Sequence, residues 1–194
     1  MRNVITLDAP PVSRREILRY MGAAASDEAT EALIDRGLEL LTDKLRYSVC
    51  YRETEVLRQG DEILLDGMSL PSETVKKALA GCDRAVIFAA TVGLAPDRLM
   101  LTYGTLEPSL ALCLQAIGAE RIEALCDAFC ATYPDGRPRI SPGYGDFPLA
   151  SQRDLFSRLD CPRAIGLTLN ENLLMTPTKS VTAVFGRKES HEAT

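Results

Sequence analysis

One short apolar segment constrains the fold of this chain more than any other feature. The run RAVIFAA at residues 84–90 is continuous and β-prone, which is typical of a strand covered on both faces. A long helix follows from about residue 107 or 108 to residue 132. Its apolar stripe at helical spacing consists of Leu110, Leu114, Ile117, Leu125 and Phe129. We therefore expect a central strand packed against a long helix.

The other predicted elements mix helices and strands without a regular strand–helix–strand alternation. Ser13 and Glu16 form a capping box that opens a short helix ending near Met21. Further helices are predicted at residues 26–44, 71–80 and 151–159, and strands at 47–51, 62–65, 164–169 and 181–185. The sequence therefore predicts a single α+β domain with a curved, mainly antiparallel sheet packed by helices.

Length, charge and hydropathy set the broad class of the protein. We expect a helical segment, residues 1–45, packed on a main domain of residues 46–187, with a polar tail at 188–194. The net charge of −5 argues against a nucleic-acid partner. The N-terminus lacks a continuous apolar signal region, and the longest apolar runs fall short of the ~20 residues of a membrane span. We expect a cytoplasmic protein with no membrane contact.

Histidine and cysteine usage excludes several kinds of site. His191, in the polar tail, is the single histidine, so neither a histidine-based triad nor a histidine-ligated zinc or corrinoid site is expected in this chain. Cys126 and Cys130 share a predicted helix face but have no second ligand pair, so we expect buried thiols and no metal. The sequence also lacks a phosphate-binding loop, a nucleophile elbow and a dinucleotide-binding glycine fingerprint.

The run RISPGYGDFP at residues 139–148 predicts a loop of defined shape, because proline fixes φ and glycine permits positive φ. Arg139 offers a planar cationic fork for a carboxylate or phosphate. Glycines such as Gly143 allow close approach of backbone N–H groups, and Tyr144 adds a flat face. The arrangement suits a small molecule with a carboxylate and a flat ring. The alternative is an ordinary turn with a surface arginine.

Three acidic residues precede this loop on one face of the long helix. Glu120, Glu123 and Asp127 follow the spacing i, i+3, i+7. A solvated carboxylate row is the simplest interpretation. The alternative is that one of them contacts a ligand held by the arginine loop.

The pattern Arg-x-x-Pro-Gly-Tyr followed by a proline resembles the S-adenosylmethionine loop of the activation domain of cobalamin-dependent methionine synthase. Roughly residues 40–187 are similar to free-standing relatives of that domain. The similarity includes AATVG at 89–93, AERIEA at 119–124, GLTLNE at 166–171 and MTPTKSV at 175–181. The resemblance implies a methionine synthase activation domain-like fold.

The resemblance also implies roles for individual residues. Arg139 would bind the methionine carboxylate, and backbone groups from Ser141 to Gly143 would contact the adenosine and amino-acid portions. Tyr144 would form a wall for the sulfonium or the ring. Glu123, with Asp127 as its rival, would hold the ribose hydroxyls or the α-ammonium. Asp146 would lie near the sulfonium, or alternatively act as a turn or N-cap acceptor.

The function implied is that of an accessory subunit for a separate B12-dependent methionine synthase. Such a subunit supports reductive reactivation, in which oxidised cobalamin is reduced by one electron and methylated by S-adenosylmethionine. The partner would carry the cobalamin and its histidine, a flavodoxin- or ferredoxin-like protein would donate the electron, and this chain would supply no catalytic residue.

Two departures from the family pattern support other interpretations. The family usually continues after the tyrosine with Pro-Ala-Cys-Pro, where this chain has GDFP at 145–148, and Tyr133 and Pro134 occupy the region of an expected acidic residue. One alternative is therefore a non-catalytic module that binds S-adenosylmethionine or a corrinoid protein. Another is an unrelated enzyme on the same fold.

Overall fold

The structure is a computed structural model that describes residues 1–23, 26–60 and 62–188. His191 and residues 189–194 of the expected polar tail lie outside the described residues. The helices are α1 (Arg14–Met21), α2 (Glu28–Leu41), α3 (Glu73–Ala78), α4 (Ala95–Leu106), α5 (Pro108–Ala131), α6 (Gln152–Leu159) and α7 (Cys161–Ile165). The strands are β1 (Asn3–Thr6), β2 (Ser48–Gln59), β3 (Glu62–Leu65), β4 (Met68–Leu70), β5 (Arg84–Thr91), β6 (Thr168–Leu169), β7 (Met175–Thr176) and β8 (Ser180–Arg187).

The main sheet is antiparallel at each of its pairings and runs in the order β4-β3-β2-β5-β8. The long strand β2 pairs along residues 48–55 with β5, and its last four residues pair with β3. Its first four residues also pair with β1. Strands β6 and β7 form a separate two-stranded ribbon. The α+β class and the curved antiparallel sheet predicted from the sequence are confirmed.

Strand β5 lies between two hydrophobic cores, as its continuous apolar sequence predicts. Ala85, Ile87 and Ala89 belong to the core that contains residues of α3, α6 and α7. The alternate residues, such as Phe88, belong to a second core with the C-terminal half of α5. Since successive side chains of a strand point to opposite faces, a strand buried on both sides must be apolar throughout.

Helix α5 also organises a third core with the N-terminal helices. Ile17 of α1 and Ile34 of α2 pack with Leu110, Leu114 and neighbouring residues in the N-terminal half of α5. The apolar stripe predicted for this helix therefore serves two cores, one with the sheet and one with helices α1, α2 and α4. The placement of α5 fixes which of its residues face the arginine loop.

The structure differs from the predicted elements at several places. Residues 164–169 were expected to form a strand, but only Thr168–Leu169 does so, as β6. Cys161–Ile165 is a short helix with Pro162 in its first turn and Gly166, where φ is 69°, as its C-cap. Proline at a first helical turn and glycine in the left-handed conformation after the last turn stabilise that helix. The sequence pattern did not predict β1, β4 or α4, and α4 begins without a side-chain cap.

Candidate functional site

The arginine loop runs along the outer edge of β8. Ile140 and Val184 exchange two backbone hydrogen bonds, each with an N···O distance of 2.8 Å. The N–H of Arg137 donates to the carbonyl of Gly186, also at 2.8 Å. Because side chains alternate along an extended segment, Ile140 packs against the core on the α6 side, and Arg139 turns toward α5. The edge of β8 thus positions the arginine.

Arg139 forms ion pairs with both carboxylates that were rival candidates. Its Nη2 donates to Glu123 Oε2 at 2.6 Å, and its Nη1 donates to Asp127. The arginine side chain is 20% exposed, against 46% for Glu123 and 71% for Asp127. Burial alone would lower the pKa of Arg139, but the hydrogen bonds and charges of these carboxylates outweigh it and raise that pKa. The cluster carries one net negative charge.

The loop beyond Arg139 is held by its own backbone. Tyr144 N–H donates to the Ser141 carbonyl at 3.2 Å, and Gly143 N–H donates to the Phe147 carbonyl at 2.8 Å. Gly143 has a φ of 96°. Gly145 has a φ of 56°, and a Cβ added there would lie 2.3 Å from Thr74 Oγ1. Both glycines therefore serve the shape of the loop, which presents a Tyr144 side chain that is 69% exposed.

Asp146 caps helix α3 rather than lining the cavity beside Arg139. Its carboxylate accepts hydrogen bonds from the N–H groups of Glu73 at 2.7 Å and Thr74 at 2.9 Å, and from Ser72 Oγ at 2.7 Å. The contacts with Thr74, Ser72 and Glu73 hold the pKa of Asp146 well below its usual range. Of the two roles considered from the sequence, the structure supports that of an N-cap acceptor, which ties the loop to α3.

A cavity of about 630 Å³ lies between the loop, α5, β8 and the start of α6. Four of the residues predicted from the sequence line it, namely Arg139, Ser141, Tyr144 and Glu123, together with Asp127. Gly143 does not line it and acts through the loop conformation. Further lining residues that the sequence did not predict are Pro138, Ile140, Pro142, Gln152, Met175, Ser180, Val181 and Thr182.

Gln152 and Thr182 are the most informative of the residues missed. They are 6% and 2% exposed, and within the described ranges Gln152 Oε1 and Thr182 Oγ1 have no hydrogen-bond partner. Buried polar atoms are usually paired, so two unpaired atoms on residues that line one cavity mark this end of it as a candidate binding surface. Thr182 interrupts an apolar strand, which is a weak signal in the sequence. Gln152 gives no sequence signal because its burial depends on how α6 packs.

Glu120 differs from the other two members of the acidic row. Its side chain is 3% exposed, and its carboxylate accepts from both Arg121 Nε at 2.5 Å and the N–H of Ser13 at 2.9 Å. Arg121 in turn donates to the carbonyls of Pro10 and Pro11 at 2.6 and 2.7 Å. The interpretation of these residues as a solvated carboxylate row is therefore wrong for Glu120. Its hydrogen bonds hold the N-terminal segment against α5.

The described residues contain no cluster of three or more side chains suited to hold a metal ion. Cys126 is fully buried, and burial raises the pKa of its thiol well above the usual value. Burial likewise raises the pKa of Cys113 to about 11. The absence of structural zinc stays a prediction. Among the described helices, none is both long and apolar enough to cross a membrane.

Comparison with known proteins identifies a solved structure with a similar architecture. No family model matches the sequence, and no curated protein is similar to it at a significant level. One similar solved structure is the crystal structure of the MetH reactivation domain bound to AdoHcy. It superposes with a TM-score of 0.78 over 100% of this chain and 80% of that chain, at 12% sequence identity.

The chain has the fold of the MetH reactivation domain. The resemblance seen in the arginine loop is thereby confirmed at the level of the fold.

Proposed function

We propose that this chain binds S-adenosylmethionine in the cavity beside Arg139. In this proposal it supports reductive reactivation of the cobalamin of a separate B12-dependent methionine synthase in the cytoplasm. One observation carries the proposal. A guanidinium with two partly exposed carboxylates lines a cavity of about 630 Å³, in a fold whose solved relative holds AdoHcy. That volume lies in the range of small-molecule sites.

The ion-pair cluster is complementary to the methionine end of S-adenosylmethionine. That end presents a carboxylate, an ammonium and a sulfonium, with one net positive charge on the ligand. The ligand carboxylate replaces Glu123 or Asp127 on the Arg139 fork, and the two protein carboxylates then face the ammonium and the sulfonium. The net negative charge of the free cluster thus becomes favourable when the cationic ligand binds. The exposed ring of Tyr144 offers a flat face at the cavity.

The residues of this chain bind and orient the methyl donor. The corrinoid of the partner, reduced by one electron from a flavodoxin- or ferredoxin-like donor, supplies the methyl-accepting chemistry. Arg139, Glu123 and Asp127 fix the sulfonium end of the ligand, and the open cavity leaves the methyl group accessible to a docked partner. His191 is the single histidine of the chain, and in this proposal the partner supplies the corrinoid and its histidine ligand.

Two measurements test this proposal in sequence. Isothermal titration of S-adenosylmethionine into the purified protein is expected to show one site, and thermal melts are expected to shift upward with the ligand. A second assay adds a corrinoid methionine synthase subunit, the electron donor and methyl-labelled S-adenosylmethionine. Label on the corrinoid that depends on this chain would support the reactivation role.

The outcomes separate the candidate functions. Ligand binding without any effect on corrinoid methylation would support the alternative of a non-catalytic S-adenosylmethionine-binding module. Binding of the corrinoid subunit alone would support a corrinoid-protein-binding module. Absence of both interactions would refute the proposal and favour an unrelated activity on this fold.

A further inference from the structure

The cavity has a second polar end, which the proposed contacts with the methionine part of the ligand do not use. It lies where β8 runs beyond its pairing with the arginine loop. Val184 uses its N–H and carbonyl to pair with Ile140, so these groups point to the outer edge of the sheet. By the two-residue repeat of a strand, the N–H and carbonyl of Thr182 point to the same edge.

The loop residue that would pair with Thr182 in this register is Pro142. Proline has no N–H, and the loop turns away from β8 at this point to form its own hydrogen bonds. Within the described part of the chain, no backbone or side-chain group hydrogen-bonds the outward N–H and carbonyl of Thr182. Thr182 therefore offers a free donor and a free acceptor at the cavity.

Two side-chain atoms near this edge also lack hydrogen-bond partners in the part of the chain that the structure describes. Among the described residues three buried side-chain polar atoms lack a partner, and two of them, Thr182 Oγ1 and Gln152 Oε1, belong to residues of this cavity. Ser180, two residues earlier on the same face of β8, shows the contrast. Its hydroxyl donates to Thr91 Oγ1 or the Pro177 carbonyl, each at 2.8 Å. At this cavity the unpaired side-chain atoms therefore belong to Gln152 and Thr182. The soft terminal torsion of glutamine lets the Gln152 amide turn toward a ligand.

The neutral end lies on the opposite side of the β8 edge from the charged cluster. Arg139 turns toward α5, whereas Gln152 begins α6, which packs on the other face of the sheet with Ile140. A ligand that reaches both ends must have a zwitterionic part and an uncharged part with hydrogen-bonding groups. S-adenosylmethionine has this form, because its methionine is charged and its adenine is neutral.

We propose that Gln152 and Thr182 recognise the 6-amino edge of the adenine ring. This inference rests on the proposed function and deepens it. The amino group of adenine donates and the adjacent ring nitrogen accepts. The Thr182 carbonyl or Gln152 Oε1 takes the amino hydrogens, and the Thr182 N–H donates to the ring nitrogen. Hypoxanthine reverses this order, with an oxygen acceptor at position 6 and a protonated ring nitrogen, so it leaves the site with mismatched pairs.

The test compares S-adenosylhomocysteine with S-inosylhomocysteine by isothermal titration. The wild-type protein is expected to prefer the adenosyl ligand at least about tenfold, since a site built around a hydrogen bond rejects an analogue that cannot make it. Gln152→Met, which keeps side-chain volume, is expected to reduce this preference to within about threefold. Thr182→Val keeps the backbone N–H and carbonyl of residue 182 and is expected to retain the preference. Gln115→Met, at an exposed position of α5, serves as the control and is expected to keep the wild-type preference.

Thermal stability provides the second readout. Each variant removes a buried atom without a partner, so neither Gln152→Met nor Thr182→Val is expected to lower the melting temperature. Unchanged preference in Gln152→Met, with or without a lowered melting temperature, would overturn the inference and leave the proposed function intact. Loss of the preference in Thr182→Val, with the backbone of residue 182 retained, would overturn the assigned backbone contacts. Equal wild-type affinity for the two ligands would overturn it as well. Failure of the wild type to bind S-adenosylhomocysteine or S-adenosylmethionine would instead refute the proposed function itself, and the inference with it.

Discussion

At the scale of single residues, Arg139 is the group on which the proposed function depends most. It is bound to two carboxylates that are far more exposed than itself. Ion pairs with exposed partners contribute about 0–1 kcal/mol to stability, because water screens them. A hydrogen bond to a charged ligand group contributes about 1.5–3 kcal/mol to affinity. The arginine is therefore expected to matter more for binding than for folding.

Substitution of Arg139 separates these contributions. Arg139→Ala is expected to weaken S-adenosylmethionine binding by about 1.5–3 kcal/mol, and Arg139→Lys to restore only part, since an ammonium lacks the bidentate fork. Arg14→Ala is the matched control, because Arg14 also pairs with two acidic residues, Glu31 and Asp35. Titrations and thermal melts on all three variants check this. A lower melting temperature for Arg139→Ala, with unchanged affinity, would assign Arg139 a structural role.

The net charge of the cluster leads to a prediction about the two acidic residues. S-adenosylmethionine carries a sulfonium charge that S-adenosylhomocysteine lacks, so the wild type is expected to prefer the former, most strongly at low salt. Glu123→Gln and Asp127→Asn should each reduce this preference. The effect is expected to be larger for Glu123, whose side chain is less exposed. Titrations of both ligands at two ionic strengths measure it, and equal preferences in all three proteins would contradict it.

At the scale of elements, Asp146 joins the arginine loop to helix α3. Its folded-state pKa is depressed, so its contribution to stability is present above the unfolded pKa of about 3.9 and is lost as the pH falls toward the folded value. Asp146→Asn is expected to lower the melting temperature by a few degrees near neutral pH, and the difference from wild type should shrink below about pH 4. A difference that is independent of pH would argue against the cap.

A matched variant shows whether this cap also serves the site. Asp27 caps α2 by accepting a hydrogen bond from the N–H of Thr30 at 2.8 Å. Its pKa is also lowered, chiefly by its hydrogen bonds with Thr30. Asp27→Asn is expected to leave S-adenosylmethionine affinity unchanged. Asp146→Asn should weaken it, because the loop loses its anchor on Ser72 and Glu73. Equal affinities in both variants would limit Asp146 to a role in stability.

The buried pair Glu120–Arg121 connects the segment before α1 to α5. Both side chains are about as buried as the core, at 3% and 2% exposed. Glu120→Gln leaves Arg121 without its charge partner, which is expected to cost about 3–5 kcal/mol of unfolding free energy. The control is Glu31→Gln in the exposed pair with Arg14, for which about 0–1 kcal/mol is expected. Urea denaturation measures both, and equal losses would contradict the structural role of the buried pair.

Elements with strong local signals were predictable from the sequence, and the rest depend on tertiary contacts. Ser13 accepts from the N–H of Glu16, as the capping box predicted, and residues 84–90 form a strand buried on both faces. Strand β1 gave no signal because three of its four residues are exposed and it exists by pairing with β2. The same limit applies to the site. Arg139 was evident from its motif, whereas Gln152 belongs to the cavity only through the packing of α6.

At the scale of the whole molecule, helix α5 links every part of the structure that bears on function. Its N-terminal half packs on α1 and α2, its C-terminal half packs on the sheet, and Glu123 and Asp127 on it contact the arginine loop. A change that weakens the packing of α1 and α2 on α5 is therefore expected to shift Glu123 and Asp127, because they lie on the same continuous helix. We expect the full chain to unfold in a single cooperative transition, with equal calorimetric and van't Hoff enthalpies.

Removal of residues 1–45 tests this coupling and the domain division expected from the sequence. The deletion takes away β1, α1 and α2, and it uncovers apolar side chains of α5 such as Leu110, Leu114 and Ile117. It also leaves Arg121 without the carbonyls of Pro10 and Pro11. Exposure of a buried apolar face and loss of partners for a buried charge both destabilise the folded state.

The fragment that starts at residue 46 is therefore expected to bind a hydrophobic dye such as ANS and to melt without a sharp transition, while the full chain binds little dye. It should also lose affinity for S-adenosylmethionine, since Glu123 and Asp127 depend on the position of α5. A fragment that melts cooperatively and keeps the affinity of the full chain would contradict this prediction. In that case residues 46–187 would fold independently, and residues 1–45 would be an appendage to a complete ligand-binding domain.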